Sequence, residues 1–127
     1  MKKIILLIDD DVYLTDIVKF LLTKENYTVL VSHEPMKGLQ LASTQKPDLI
    51  LLDLMMPGLS GEETAKMMKN HPVVKNIPVV FFTALLSPKD KEKEDLTVLV
   101  DGLNYPAIAK PFEAPDLLNR IKRLLEN

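Results

Sequence analysis

The chain has 127 residues, 46% of them hydrophobic and 27% charged, which excludes intrinsic disorder and gives a single domain, 1–127, the material for a buried core. A net charge of −2 is too small to steer the chain onto nucleic acid or anionic lipid, so neither direct nucleic-acid contact nor a membrane is expected. The lack of Cys removes disulfides, thiolate nucleophiles and cysteine-ligated zinc, and His33 and His71 are too few and too separated for a histidine metal site.

Met1-Lys2-Lys3 followed by Ile4–Ile8 opens like a signal peptide, but Asp9 cuts the apolar run at five residues. A signal core needs roughly 7–15 apolar residues and a membrane span roughly 20, so a soluble, cytoplasmic domain is expected. Further runs at 28–31, 49–52 and 79–82 are short, mostly aliphatic or β-branched, and unbroken by charge. Continuous apolarity without alternation fits strands buried on both faces of a parallel sheet. Between the first two runs, Val12, Ile17, Val18, Leu21 and Leu22 recur at helical spacing. Pro35 suits a helix start, and Leu39, Leu41 and Ala42 carry a second helix that ends before Pro47. Ser60-Gly61-Glu62-Glu63 has the form of a capping box and opens a third helix with Ala65, Met67 and Met68.

Residues 85–109 are the hardest to read. Lys89 to Asp95 alternates in charge and fits a short solvated helix, whereas Thr97-Val98-Leu99-Val100 reads as extended chain before an Asp101-Gly102 turn. A short strand at 107–109 follows, and Pro115 then opens a final helix carrying Leu117, Leu118, Ile121, Leu124 and Leu125. Alternation of strand and helix with right-handed crossovers gives an α/β fold, a doubly wound five-stranded parallel sheet with helices on both faces. The chain stops one turn beyond Leu124 and Leu125, as a stand-alone domain or as part of a longer protein.

Open parallel sheets bind ligands at the carboxyl ends of their strands. On that edge stand Asp9, Asp10 and Asp11 after the first strand, Asp53 after the third, Thr83 after the fourth and Lys110 after the last. Clustered carboxylates persist only with a counter-cation or with raised pKa values. Hard oxygen donors without His or Cys favour Mg²⁺ or Mn²⁺ over zinc. A lysine point charge and a threonine hydroxyl complete a phosphoryl site, in which an aspartate is the plausible acceptor because no Ser or Cys is paired with a base. Taken singly, each residue has a plainer reading. An Asp triplet gathers at a helix N-terminus, a lone Asp ends a strand in a turn, and a lone Thr or Lys meets backbone or solvent. His33 and His71 read as solvated loop residues. The co-occurrence of the right residue type at four strand ends is what favours the phosphoryl reading.

Those residues, as Leu7-Ile8-Asp9-Asp10-Asp11, the stretch from Leu51 through Asp53 and Met55-Met56-Pro57-Gly58 to Gly61, Phe82-Thr83-Ala84 and Ala109-Lys110-Pro111-Phe112, resemble the receiver domain of bacterial two-component response regulators. The likeness extends to the chemotaxis response regulator and spans essentially the whole chain. It implies a flavodoxin-like fold and a cis Lys110–Pro111 peptide. It implies that Asp53 is the phosphoacceptor, taking a phosphoryl group from a histidine kinase, a histidine phosphotransfer protein or a small acyl phosphate. It implies that Asp10, Asp53 and the backbone carbonyl of Met55 hold Mg²⁺ directly and Asp9 mainly through water, with Thr83 and Lys110 on the phosphoryl oxygens. An output domain or a receiver homodimer would be a further partner, served by the face around residues 85–112. Two features depart from the family pattern: Ala107 stands where an aromatic is usual, with Tyr105 two residues earlier, and the stretch from Thr83 to Lys110 is long.

Three rivals share the fold class. A haloacid-dehalogenase-type aspartyl-phosphate phosphatase would need Thr where Tyr13 stands, FMN binding would place a phosphate against three aspartates, and a degenerate receiver would serve as a non-phosphorylated docking module. The reading adopted is a phosphorylation-driven switch that is not an enzyme beyond catalysing its own phosphoryl transfer and slow autodephosphorylation.

Overall fold

The computed structural model describes residues 2–84 and 96–126. Strands β1 (Ile4–Ile8), β2 (Thr28–Ser32), β3 (Leu49–Asp53), β4 (Val79–Ala84), β5 (Thr97–Val100) and β6 (Leu103–Lys110) form one sheet in the order β2-β1-β3-β4-β6-β5. The helices are α1 (Val12–Lys24), α2 (Pro35–Gln45), α3 (Gly61–Lys69) and α4 (Ala114–Glu126). β1, β3 and β4 lie inside the sheet, which explains their continuous apolar runs: both faces of each are covered.

One face of the sheet, including Leu6, Ile50, Leu52 and Phe81, packs on Ala42 of α2 and on Ala65 and Met68 of α3. The other, including Ile5, Leu7, Leu51 and Phe82, packs on Val18 and Leu22 of α1 and on Leu117 and Ile121 of α4. Full burial of each large aliphatic or aromatic side chain contributes ~1.5–3 kcal/mol, so these two layers supply most of the favourable folding energy. Helix starts follow local chemistry. The Asp11 carboxylate accepts from the Leu14 N–H at 3.0 Å. The Ser60 hydroxyl accepts from the Glu63 N–H at 3.1 Å and donates to the Glu63 carboxylate at 3.2 Å.

The expectation of five strands, all parallel, is corrected at the far edge. β6 runs parallel to β4, and β5 adds a sixth strand antiparallel to β6. The cause is the Asp101-Gly102 turn, whose residues both have positive φ, 51° and 80°. A two-residue loop of that kind folds a strand directly back on itself in the sense that suits sheet twist. The extended reading of Thr97–Val100 is therefore realised, while the charged helix expected over Lys89 to Asp95 lies outside the described residues. β6 is also longer than the expected 107–109, starting at Leu103.

Candidate functional site

Parallel packing brings the carboxyl ends of β1, β3, β4 and β6 to one edge. Asp9 follows β1 and is fully buried; its N–H donates to the Ser32 carbonyl at 3.1 Å, fixing the turn out of the strand. Asp53 ends β3 at 6% exposure, and Lys110 ends β6. The Lys110 ammonium donates to Asp9 Oδ2 at 2.8 Å and to Asp53 Oδ1 at 3.3 Å. It thus bridges two carboxylates contributed by strands that are not neighbours of its own. Asp9 Oδ1 accepts from the Asp11 N–H at 3.0 Å, and Asp53 Oδ1 accepts from the Met55 N–H at 3.3 Å. Among the described residues no donor reaches Asp53 Oδ2.

Carboxylate oxygens of Asp9, Asp10 and Asp53 lie within 4.8 Å of one another. Asp10 is the exposed member, so the cluster has one wet side and two dry ones. Burial, then the charge of Asp9, raises the pKa of Asp53, with Lys110 and the Met55 N–H pulling the other way. Burial alone would lower the pKa of Lys110, but its hydrogen bond to Asp9 and the charges of Asp53 and Asp9 outweigh it, and the ammonium is held protonated. A carboxylate cluster one cation short, with no imidazole or thiolate, is a hard-donor site suited to a small divalent ion.

The loop after β3 is shaped by close backbone approach. The Gly61 N–H donates to the Leu54 carbonyl at 2.9 Å, and a Cβ on Gly61 would fall 2.2 Å from the Asp53 carbonyl oxygen. Only glycine lets the start of α3 sit against Asp53 in this way. Lys110 is steadied from beneath as well. Its ammonium lies 5.8 Å from the Phe82 ring centroid, and Phe82 stacks on Phe112 at 5.9 Å. The Lys110–Pro111 peptide is cis, as expected.

Of the residues singled out from sequence, Asp9, Asp10, Asp53 and Lys110 converge. Thr83 reaches the same edge, but its hydroxyl donates to the carbonyl of Ala84 at 3.1 Å and not to the carboxylates. Met55 is 77% exposed beside the cluster. Tyr105 packs edge-to-face on Phe81 with centroids 5.3 Å apart, filling space next to the small Ala107. The roles of Gly61, Phe82 and Phe112 were missed, although all three stand in the motif stretches, and a Ser-Gly helix start so soon after Asp53 was the available signal for the first. His33 is exposed and His71 half-buried, as solvated residues are expected to be, but each also has a hydrogen-bond partner. His33 Nε2 lies 3.1 Å from the buried Thr15 hydroxyl, and His71 Nδ1 accepts from the N–H groups of Val73 and Val74 at 3.1 and 3.3 Å.

Comparison with known proteins gives a consistent result. The family model for the response regulator receiver domain matches residues 5–122. The chain is similar to the response regulator ArlR of Staphylococcus haemolyticus, 34% identical over 124 residues, covering 95% of this chain and 52% of that protein. It is also similar to the phosphate regulon transcriptional regulatory protein PhoB of Pseudomonas aeruginosa, 32% identical over 123 residues, covering 97% and 52%. The chain spans about half the length of the curated relatives it matches. Among solved structures, a putative response regulator from Chloroflexus aurantiacus superposes with a TM-score of 0.83 at 25% identity, covering both chains fully. The receiver domain of a sensor histidine kinase from Pseudomonas aeruginosa, crystallised with a magnesium ion in its active-site cleft, has the same fold, with a TM-score of 0.83 at 21% identity over the whole of both chains.

Proposed function

The chain belongs to the response regulator receiver domain family, and on that premise we propose that it is a phosphorylation-activated signalling switch whose phosphoacceptor is Asp53. One observation carries this reading: the Lys110 ammonium, held by Asp9 and Asp53 across the top of the sheet. In that position a cation neutralises a phosphoryl group arriving on Asp53. Asp53 Oδ1 is occupied by Lys110 and the Met55 N–H, which leaves Oδ2 as the attacking oxygen. Its lone pair forms the new O–P bond while the donor's P–N or P–O bond breaks, and the bonding pair leaves with the imidazole or carboxylate of the donor. The raised pKa still leaves an acid that loses its proton when a cation sits beside it.

The donor set fits Mg²⁺: Asp10, Asp53 and the Met55 carbonyl would hold the ion, with Asp9 mainly through water, and it would supply charge neutralisation to the transferring group. Lys110 and the hydroxyl of Thr83 contact the phosphoryl oxygens. For Thr83 this requires a rotation away from the Ala84 carbonyl, and that rotation is the local event of the switch. The chain acts on itself and turns over no separate substrate.

The donor is a histidine kinase or histidine phosphotransfer protein. A protein donor is supported by the apolar stripe of Tyr13, Ile17 and Phe20 along α1, which is exposed and begins beside the carboxylates. A setting in the cytoplasm fits such a donor, and no helix among the described residues is long and apolar enough to cross a membrane. Because the relatives are about twice as long as this chain, an output domain or a receiver homodimer is the proposed recipient of the signal.

The test is intact-mass spectrometry after incubation with acetyl phosphate and Mg²⁺, beside an Asp53→Asn control. The expected result is one added phosphoryl group in the wild type alone. An adduct of equal yield in the variant would move the acceptor elsewhere. No adduct, together with no change in amide spectra on adding beryllofluoride, would leave a docking module.

A further inference from the structure

At the opposite edge of the sheet from the carboxylates lies a cavity of about 350 Å³. Register places it there: Leu49 starts β3, Val79 starts β4, and Tyr105 stands level with Val79 through the pairing of Phe81 with Ala107. Its wall is apolar, formed by Ala65, Met68, Val74, Ile77 and Val79. Its remaining lining includes four polar residues, Lys69, Lys75, Asn76 and Tyr105. None of these four makes a side-chain hydrogen bond or ion pair among the described residues. The segment 64–80 that supplies most of the lining contains Lys66, Lys69, Lys75 and His71 and no Asp or Glu, in a chain whose net charge is negative.

That combination selects a ligand chemistry. An apolar wall takes a hydrocarbon or aromatic body, and a rim with two unpaired cations takes an anion attached to it. Asn76 and the Tyr105 phenol add neutral donors. Burial and the charge of Asp101 raise the Tyr105 pKa, so the phenol keeps its proton and donates at neutral pH. Lys69 lies in the last turn of α3, where a cation also offsets the negative end of the helix dipole. Lys75 lies beyond that helix and has no carboxylate partner among the described residues, and it is the residue that turns a helix-end charge into a cation pair.

We propose that this cavity is a binding site for a small organic carboxylate with an apolar body, seated on Met68 and Ile77 with its carboxylate between Lys69 and Lys75. The cavity lining does not include Asp53. It communicates with the β4–β6 interface through Tyr105, whose ring rests on Phe81 two residues before Thr83.

The experiment is an amide and methyl NMR titration of the full chain with phenylacetate, with neutral phenylacetamide and inorganic phosphate as comparison probes. Phenylacetate should give saturable shifts at Met68, Val74, Ile77 and Tyr105, within the ~10 mM range that brackets the millimolar Kd of a fragment-sized ligand. Lys75→Gln and Tyr105→Phe should each weaken binding about fivefold, the one by removing a charge and the other a single donor. Asp53→Asn should leave the affinity unchanged, which separates this site from the phosphoacceptor reading. Equal affinity for phenylacetate and phenylacetamide would overturn the proposal. So would shifts centred elsewhere, binding indifferent to both cavity variants, or no saturable change.

Discussion

Addition of Mg²⁺ should raise the melting temperature of the wild-type chain, and the structure identifies the residues through which it acts. Carboxylate oxygens of Asp9, Asp10 and Asp53 lie within 4.8 Å of one another. At that separation two unit charges repel by ~3.5 kcal/mol at an effective dielectric constant of about 20, and Lys110 offsets only part of the total. A divalent ion relieves the rest in the folded state alone, since the unfolded chain disperses residues 9, 10 and 53. At a Mg²⁺ concentration about ten times its Kd, binding to the folded state contributes ~1.4 kcal/mol. Unfolding entropy for a domain of this length is ~0.27 kcal/mol/K, so the expected rise is about 5 °C. The assay is thermal unfolding followed by circular dichroism at increasing MgCl₂, with ionic strength matched by NaCl. Asp10→Asn removes the exposed ligand without touching the core and should abolish most of the rise. A rise of equal size in NaCl alone, or one that survives in the Asp10→Asn, Asp53→Asn double variant, would refute the reasoning.

Three further outcomes follow from the same geometry. Because burial and Asp9 raise the folded-state pKa of Asp53, the folded protein binds that proton more readily than the unfolded chain does. The stability this group contributes is complete below its unfolded value near 3.8 and is lost as pH rises through the folded value. Metal-free Asp53→Asn should therefore be more stable than wild type at pH 7 in urea denaturation, with the gap closing toward about pH 4, and a less stable variant at pH 7 would count against the crowded cluster. Gly61→Ala places a Cβ 2.2 Å from the Asp53 carbonyl oxygen, against backbone that has no rotamer to yield. It should cost ~1–3 kcal/mol by denaturant titration and slow acetyl-phosphate labelling, since relief of the clash displaces Asp53. Lys110→Met leaves Asp9 and Asp53 facing each other without their shared cation, which should cost ~2 kcal/mol in metal-free buffer. Because Mg²⁺ then meets a more negative site, its stabilising effect should exceed that in wild type, and a smaller effect would show that Lys110 helps to hold the ion.

Much of the fold was legible because buried parallel strands write themselves as unbroken apolar runs, and β1, β3 and β4 were found that way. β6 was cut short at Ala107 because Pro106 and Asn104 interrupt its run. The structure tolerates the proline because the ladder to β4 begins one residue later, at Ala107, so the missing N–H has no strand partner to lose. The Ala107 N–H donates instead to the Leu96 carbonyl at 2.9 Å, beside the start of β5. The hairpin was signalled by Asp101-Gly102, but four residues of β5 carry too little periodicity to separate an edge strand from a loop. At the site, residue types at strand ends were readable, whereas side-chain direction was not. A spacing of 101 residues says nothing about the contact of Lys110 with Asp9 until the strand order is known. The orientation of the Thr83 hydroxyl depends on a single rotamer that leaves no trace in the sequence.

The strand order also decides where a signal arriving at Asp53 can leave the domain. β6 carries Lys110 at one end and Tyr105 within its length, and it is hydrogen-bonded to β4 on one side and β5 on the other. β1, β3 and β4 are locked between neighbours and buried on both faces, so a pull on Lys110 cannot be absorbed there without breaking ladder bonds in the core. β5 is held less firmly. Thr97 and Leu99 are exposed, no described strand lies outside it, and beyond the packing of Val98 and Val100 against the core its polar ties to the helices among the described residues include a hydrogen bond of 3.2 Å from Arg120 to the Leu96 carbonyl and an exposed Lys66–Asp101 pair at 3.9 Å. Exposed pairs of that kind contribute about 0–1 kcal/mol, less than a single internal ladder contact with its buried side chains. The least costly response to a displaced Lys110 is therefore a shift of the β5–β6 hairpin. On the proposed reading, Tyr105, packed on Phe81 beside the small Ala107, would carry that shift along a strand, where the family pattern would use an aromatic ring three residues before the lysine.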